Sequence, residues 1–388
     1  MLCKRPIAAT RQMISAFTSS TVTNRADLVQ MQDKDNKSGK FARHASVSVI
    51  MPALNEAPYI EEALRSVLNQ CVPNCSLEIL VVDGGSNDGT REIVQRYARE
   101  HPFIKLLENP GRTTPRALNI GLSTSGGDYV CIFGAHARFP PDYIRVCMEE
   151  LKSKEAAGCS GRLVTRSGGT AVTARLAAWC VAHRFTSSSN SVRTHPGGYV
   201  DTIPFPVMLT QVLLQAGGYD ERLHRNQDND MNQRLRALGH RLYLTPRTQA
   251  TYYARSGIKS LLAHAYRTGW WNGTTVRLKS AAMSFRHFVP FAFLLALLVL
   301  GWSCFYSLLV RHSPGNGPLL LAALLGLHLL IGTYAGIETA LREGSAAGLL
   351  LPPIILAFHI AYGVGTAFGL LSTPEMRMPG AKRAALRN

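Results

Sequence analysis

The sequence predicts an α/β protein, a mostly parallel sheet with helices on both faces, followed by C-terminal transmembrane α-helices. Two observations carry this. Short apolar strands alternate with amphipathic helices from residue 46 onward, with polar motifs at the strand ends, and residues 288–371 are dominated by Leu, Ala, Ile, Val and Gly.

Val47 to Met51 reads as the first strand, stopped by Pro52. Ile60, Ala63, Leu64, Val67 and Leu68 then mark one face of a helix over 58–70. A second strand runs from Leu77 to Val82 and ends in Asp83, before helical spacing returns at Ile93, Val94 and Tyr97. Ile104 to Leu107 is a third strand, 113–122 a helix, and Tyr129 to Phe133 a fourth strand. In sheets of this kind ligands bind beyond the carboxyl ends of the strands. Asn55-Glu56, Asp83 and His136 fall at those ends.

The chain divides into a disordered lead-in (1–45), an α/β domain (46–280), a membrane domain of two or three helices (288–371) and a basic tail (372–388). Three apolar spans, 288–310, 318–337 and 346–371, each approach the roughly 20 residues that cross a bilayer as a helix. Arg277, Lys279, Arg286 and His287 hold the start of the first on the cytoplasmic side. Three crossings would put Arg377, Lys382, Arg383 and Arg387 outside, against the positive-inside tendency. Pro352-Pro353 would kink the third span or make it re-entrant, and Glu338 with Arg342 marks a cytoplasmic turn.

The formal charge of +17 calls for a polyanionic partner. With no Lys/Arg run interleaved with aromatics and no zinc-finger or RRM signature, the partner read is an anionic membrane surface or a diphosphate, not nucleic acid. The eight cysteines show no CxxC spacing and read as reduced cytosolic thiols. No Walker-type glycine-lysine loop is present.

Val81-Val82-Asp83-Gly84-Gly85-Ser86-Asn87-Asp88-Gly89-Thr90 is the strongest local signal: an Asp closes an apolar strand before a Gly/Ser/Asn turn and a helix start. Alone it also reads, as the lesser alternative, as an ordinary turn with Ser86 or Asp88 capping the next helix. Preceded by Pro52-Ala53-Leu54-Asn55-Glu56, it resembles the opening of family 2 glycosyltransferases with the GT-A fold, a Rossmann-like nucleotide-sugar-binding domain. The likeness continues through Gly111-Arg112, Pro115 to Gly121, Gly134 to Arg138, Val200-Asp201-Thr202, Gly217 to Glu221, Arg225 to Asp230 and Gly269-Trp270-Trp271. Order and spacing over about residues 46–300 are similar to the succinoglycan-type exopolysaccharide glucosyltransferase branch.

The resemblance implies a UDP-sugar donor held by Pro52, Asn55, Glu56, Asp83, Ser86, Asp88, Arg112 and Arg116, with Asp83 on the uracil and Asp88 organising the loop. It implies Asp228 as the base that takes the acceptor proton, with Asp230 as the alternative in a different helix register. Arg267, Trp270 and Trp271 occupy the acceptor and diphosphate element, or an interfacial aromatic belt. One departure stands out. The branch's fourth strand ends in Asp-Ala-His, a variant of the metal-binding DxD, whereas here Gly134 takes the first position and leaves His136. Kinship implies Mg²⁺ or Mn²⁺ with His136 as its ligand, or His136 as a hydrogen-bond donor to the diphosphate, yet hard cations prefer oxygen ligands. Arg112 or Arg138 would then supply part of the missing positive charge.

The implied activity is inverting transfer of a hexose to a polyprenyl-linked saccharide in exopolysaccharide biosynthesis. The expected location is a multi-pass position in the bacterial inner membrane, with the catalytic domain in the cytoplasm. A polyprenyl-phosphate sugar transferase and an inactive membrane scaffold are the rival readings. Asn272-Gly273-Thr274 matches a glycosylation sequon by chance.

Overall fold

The computed structural model describes residues 45–187, 191–254, 257–310 and 315–372. The expected lead-in and basic tail therefore lie outside the described residues, save Ala45 and Ser372.

Strands β1 (Ala45–Ala53), β2 (Cys75–Asp83), β3 (Ile104–Glu108) and β4 (Tyr129–Ile132) run parallel in the order β3-β2-β1-β4. Alternation of side chains across the pleat gives this part of the sheet two apolar faces. Val47, Val49, Met51, Ile79 and Val81 meet α1 (Ala57–Leu68) and α2 (Thr90–Glu100) on one face. Ile50, Leu80, Val82 and Val130 meet α3 (Thr114–Thr124) on the other. The register pairs Ala53 with Asp83, so β1 and β2 end level and their loops emerge side by side.

Beyond β4 the sheet turns mixed. The neighbouring strands are β8 (Val207–Leu209), antiparallel to β4 and to β6 (Gly158–Ser167), and β9 (Leu242–Ala254), parallel to β6. The two-residue strands β5 (Ala137–Arg138) and β7 (Gly198–Tyr199) pair antiparallel with β9. A bulge opposite Gly161/Arg162 takes up Pro246, Arg247 and Thr248, where proline cannot donate to the ladder. Around this half lie α4 (Tyr143–Ser153), α5 (Val172–Ala182), α6 (Arg184–Ser187), α7 (Thr210–Gln215), α8 (Gln227–Ala237) and α9 (Ile258–Leu278).

Three helices follow: α10 (Val289–Leu309), α11 (Gly317–Glu343) and α12 (Leu351–Leu371). With their flanking turns, Phe285–Leu309, Gly317–Glu343 and Ala346–Leu371 are long and apolar enough to cross a membrane. Pro352-Pro353 does not kink the last of them. The two prolines stand in its first turn, where a missing N–H costs nothing. Helix α11 continues past residue 337 because its charged end packs on the α/β domain: Arg184 reaches Tyr334 Oη at 3.0 Å and Glu338 at 3.2 Å.

Candidate active site

The level ends of β1 and β2 set the site. Asn55, in the left-handed region at φ 57°, donates its N–H to Ser86 Oγ at 2.8 Å and accepts from Asn87 N at 3.0 Å through Oδ1. Glu56 N donates to Thr90 Oγ1 at 2.8 Å, and Ala57 N donates to Asp88 Oδ2 at 3.0 Å. Asn55, Ser86 and Asp88 thus stitch the two strand-end loops into one rigid lip. Asp83 is buried under it, accepting from Gly85 N at 2.9 Å, Ser86 N at 3.0 Å and Arg91 Nη1 at 2.9 Å. Burial pushes its pKa up, but the bonds from Ser86, Arg91 and Gly85 outweigh this and hold the carboxyl below the ordinary range.

Beside the lip, at the carboxyl ends of β1, β2 and β4, opens a cavity of about 590 Å³. Of the residues singled out from sequence, Pro52, Glu56, Arg112, His136, Asp228 and Arg267 line it, with Gly134. Asn55, Asp83, Ser86 and Asp88 build the lip instead, and Arg116 is an exposed residue folded over Gly111. Arg138, one of two candidates for the missing charge, is spent on an ion pair with Glu62, which leaves Arg112. Trp270 and Trp271 stand off the cavity: Trp270 is buried, edge-on to Trp271 at 4.9 Å, and its carbonyl packs on Gly369 of α12. Asn272, the sequon residue, is buried between Asn226 and Tyr362.

The acidic run at the start of α8 splits into two roles. Asp230 is buried and paired with Arg234 at 2.9 Å and with Lys279 at 3.0 Å. Asp228 opens into the cavity with no ion pair among the described residues. Asp228 is exposed at the cavity, yet the protein crowded around it disfavours the charged form and raises its pKa above the ordinary carboxylate value, against a 2.9 Å bond from Asn229 N and the nearby Arg225. A reachable carboxylate with a raised pKa suits proton abstraction. The helix begins at Gln227, so Asp228 lies in the first turn, with Asn226 tied to Asn272 at 2.9 Å and to Thr275 at 3.1 Å on α9.

His136 Nδ1 lies 3.2 Å from Glu56 Oε1, and its ring meets Tyr252 edge-on at 5.2 Å. Among the described residues no three His, Cys, Asp or Glu side chains gather as a metal ligand set. The expected Mg²⁺ or Mn²⁺ is therefore not matched by the residues present. The reason sits at Gly134, where a Cβ would come within 2.9 Å of the Phe205 ring, so phenylalanine fills the space a DxD aspartate needs. Phe205 is itself held edge-on against Phe139 at 5.4 Å. Gly134→Asp should accordingly lower thermal stability by about 1–3 kcal/mol, a loss that Phe205→Leu in the same chain relieves; thermal unfolding of both variants measures it.

Sequence reading missed Arg193, Arg225, Tyr252 and His264, which also line the cavity. They come from an aperiodic loop, the end of a long strand and a juxtamembrane helix, where no local pattern distinguishes a site residue. With them the cavity carries four arginines (Arg112, Arg193, Arg225, Arg267) against two carboxylates (Glu56, Asp228). Such a balance favours a phosphorylated ligand.

A nucleotide-type lip at the strand ends, a cationic cavity and a reachable carboxylate, on a parallel sheet turning mixed, define a glycosyltransferase of the GT-A fold. Residues 48–205 match the family model described as Glycosyl transferase family 2, and the chain is a glycosyltransferase that resembles the succinoglycan branch of that family. It is 26% identical to Succinoglycan biosynthesis protein ExoA of Rhizobium meliloti (strain 1021), over 82% of this chain and 92% of that protein. It is also 26% identical to Dolichyl N-acetyl-alpha-D-glucosaminyl phosphate 3-beta-D-2,3-diacetamido-2,3-dideoxy-beta-D-glucuronosyltransferase of Methanococcus voltae, over 84% of this chain and 97% of that protein. Among solved structures, a mannosyltransferase from Pyrobaculum calidifontis in complex with GDP-Man and Mn²⁺ is 20% identical, covering 86% of this chain and 93% of that one with a TM-score of 0.49.

Proposed function

We propose that this glycosyltransferase moves a hexose from a UDP-sugar to a polyprenyl-linked saccharide at the inner face of a bacterial cytoplasmic membrane, with inversion, for an exopolysaccharide. The observation that carries the reading is Asp228, a reachable carboxylate with a raised pKa in a cavity otherwise rich in arginine. One wall of that cavity comes from α5 (Ala177, Val181) and α9 (Ser260, Leu261, His264, Arg267), which pack against the apolar helix α12. A wall shared with an apolar helix suits a saccharide carried on a lipid. The name of one relative, which acts on a dolichyl-phosphate-linked sugar, agrees with a lipid-linked acceptor, and that of the other, a succinoglycan biosynthesis protein, with a polysaccharide product.

The chemistry follows from the residues. The acceptor hydroxyl attacks the anomeric carbon while its proton passes to an Asp228 carboxylate oxygen. The bond from that carbon to the diphosphate oxygen breaks, and its electron pair leaves with the diphosphate. Arg112 and Arg267 balance the charge that develops there. The lip made by Asn55, Ser86 and Asp88 orients the nucleotide, and Asp83 stiffens it from beneath.

Full-length chain in nanodiscs, given UDP-sugars and polyprenyl-diphosphate saccharides, tests this. Transfer with an inverted anomeric centre is expected, and donor binding without transfer to any saccharide would sink it. Transfer to polyprenyl phosphate that survives Asp228→Asn would instead identify a phosphate acceptor, which is already anionic and needs no base.

A further inference from the structure

Arg193 is a cation to which the transfer chemistry gives no role. Its Nε donates to Thr165 Oγ1 at 3.0 Å, and its guanidinium carbon lies 6.0 Å from the centroid of the Tyr252 ring. Both neighbours are uncharged. Among the described residues no carboxylate pairs with it, and the protein around it lowers its pKa by desolvation. A desolvated charge without a counter-ion is costly to keep. The planar fork of a guanidinium fits phosphate oxygens in pairs, which makes an anion the natural partner. Tyr252 also meets His136 edge-on, so one ring links Arg193 to the loop after β4. We propose that Arg193 is a phosphate-binding residue of the cavity, taking the diphosphate oxygens of a substrate.

This rests on the glycosyltransfer reading, and two sources share the chemistry: the nucleotide donor and the lipid-linked acceptor. Full-length wild type, Arg193→Gln and Arg193→Lys in nanodiscs should be compared for binding of inorganic pyrophosphate and of UDP, and for KM toward the lipid acceptor. At least a tenfold weakening of pyrophosphate binding in Arg193→Gln, partly restored in Arg193→Lys at unchanged Tm, is expected. If UDP binding falls with it, the donor is the source; if only acceptor KM rises, the lipid diphosphate is. Unchanged pyrophosphate, UDP and KM values, or a fall in Tm alone, would overturn the assignment. Pyrophosphate binding reads Arg193 even if no sugar is transferred, so the two readings fail separately.

A second observation concerns the membrane helices. Helix α12 runs alongside α9 over its whole length and in the same direction. Leu261 and Ala265 share a cluster with Ile355, Phe358 and Tyr362, and Gly269 packs on the backbone of Tyr362 and Thr366. Further along, a Cβ on Gly273 would come within 2.6 Å of Thr366 O, and Arg277 donates to Ser372 O. Yet α9 walls the polar cavity and carries Lys259, Arg267 and Arg277. A crossing by α12 would drag those charges into hydrocarbon. Helices α10 and α11 differ: Leu298 and Trp302 on α10 are 60% and 68% exposed, and Leu319 and Leu330 on α11 are 71% and 67% exposed. Both hairpin ends meet the catalytic domain, through Arg286 to Asp201 at 3.8 Å and Glu338 to Arg184 at 3.2 Å.

We infer that only α10 and α11 cross the bilayer, while α12 lies with α9 at the membrane surface. Its exposed Pro353, Phe368 and Leu371 then face lipid. Arg377, Lys382, Arg383 and Arg387 return to the catalytic side, as the positive-inside tendency requires. Membrane-impermeant maleimide on spheroplasts tests this with Asn316→Cys and Ala384→Cys in the full chain. Asn316→Cys should label in intact spheroplasts and Ala384→Cys only after lysis. Labelling of Ala384→Cys before lysis would overturn the two-crossing arrangement.

Discussion

Asp228→Asn should leave a folded protein that still binds nucleotide and turns over about 10²–10⁴-fold more slowly. The fold loses nothing by it, because among the described residues this carboxylate carries no ion pair and its surroundings already disfavour the charged form. The sign of the pH dependence follows. A carboxyl whose folded pKa lies above its unfolded value adds stability below the unfolded value, about 3.9, and loses that contribution as pH rises through the folded one. Catalysis runs the other way, since the base acts only when ionised. Wild-type kcat should therefore rise with pH through the raised Asp228 pKa, while Asp228→Asn is flat there and has an equal or higher Tm near neutrality. Measuring kcat against pH and Tm on the same preparations checks both, and a variant with wild-type turnover would remove Asp228 from the reaction.

Much of this was legible in the sequence, and the boundary is physical. The strands and helices from Val47 to Phe133 bury regular apolar faces, so spacing alone finds them, and strands that end level bring Asn55, Asp83 and Asp88 together. The second half of the sheet was not legible. Strand β8 is three residues long, and β9 contains Pro246 and Arg247, so neither presents a clean alternation. The tasks of individual residues depend on long-range contacts that no local pattern records. Asp228 and Asp230 are two residues apart, yet one opens into a cavity and the other is enclosed by Arg234 and Lys279. Trp270 reads as a sugar platform until α12, a hundred residues on, is seen to bury it. Gly134 registers as a missing ligand, but only the fold shows Phe205 filling the space.

The neighbouring Asp230→Asn should fail in the opposite manner, through stability. Its carboxylate is 1% exposed and sits between Arg234, which also donates to the carbonyls of Ala216 and Gly218, and Lys279, just past the end of α9. It thereby joins α8, the loop before Tyr219 and the juxtamembrane helix at one point. Removing one member of a buried ion pair typically costs 3–5 kcal/mol, because the partner is left charged and desolvated, and Tm should fall by on the order of 10 °C. Asp220 keeps Lys279 at 3.1 Å and Arg222 at 2.7 Å, so the site is weakened rather than emptied. Bonds from Arg222, then Lys279, hold the Asp220 carboxyl well below the ordinary range even though burial opposes them. The stability from that pairing is complete above the unfolded carboxylate value and is lost as pH falls below about 4. Asp230→Leu with Lys279→Met, which removes both charges, should recover part of the lost Tm. If Asp230→Asn were instead as stable as wild type and inactive, the base would be Asp230, and the cavity-facing carboxylate two residues earlier would have to serve the substrate in some other way.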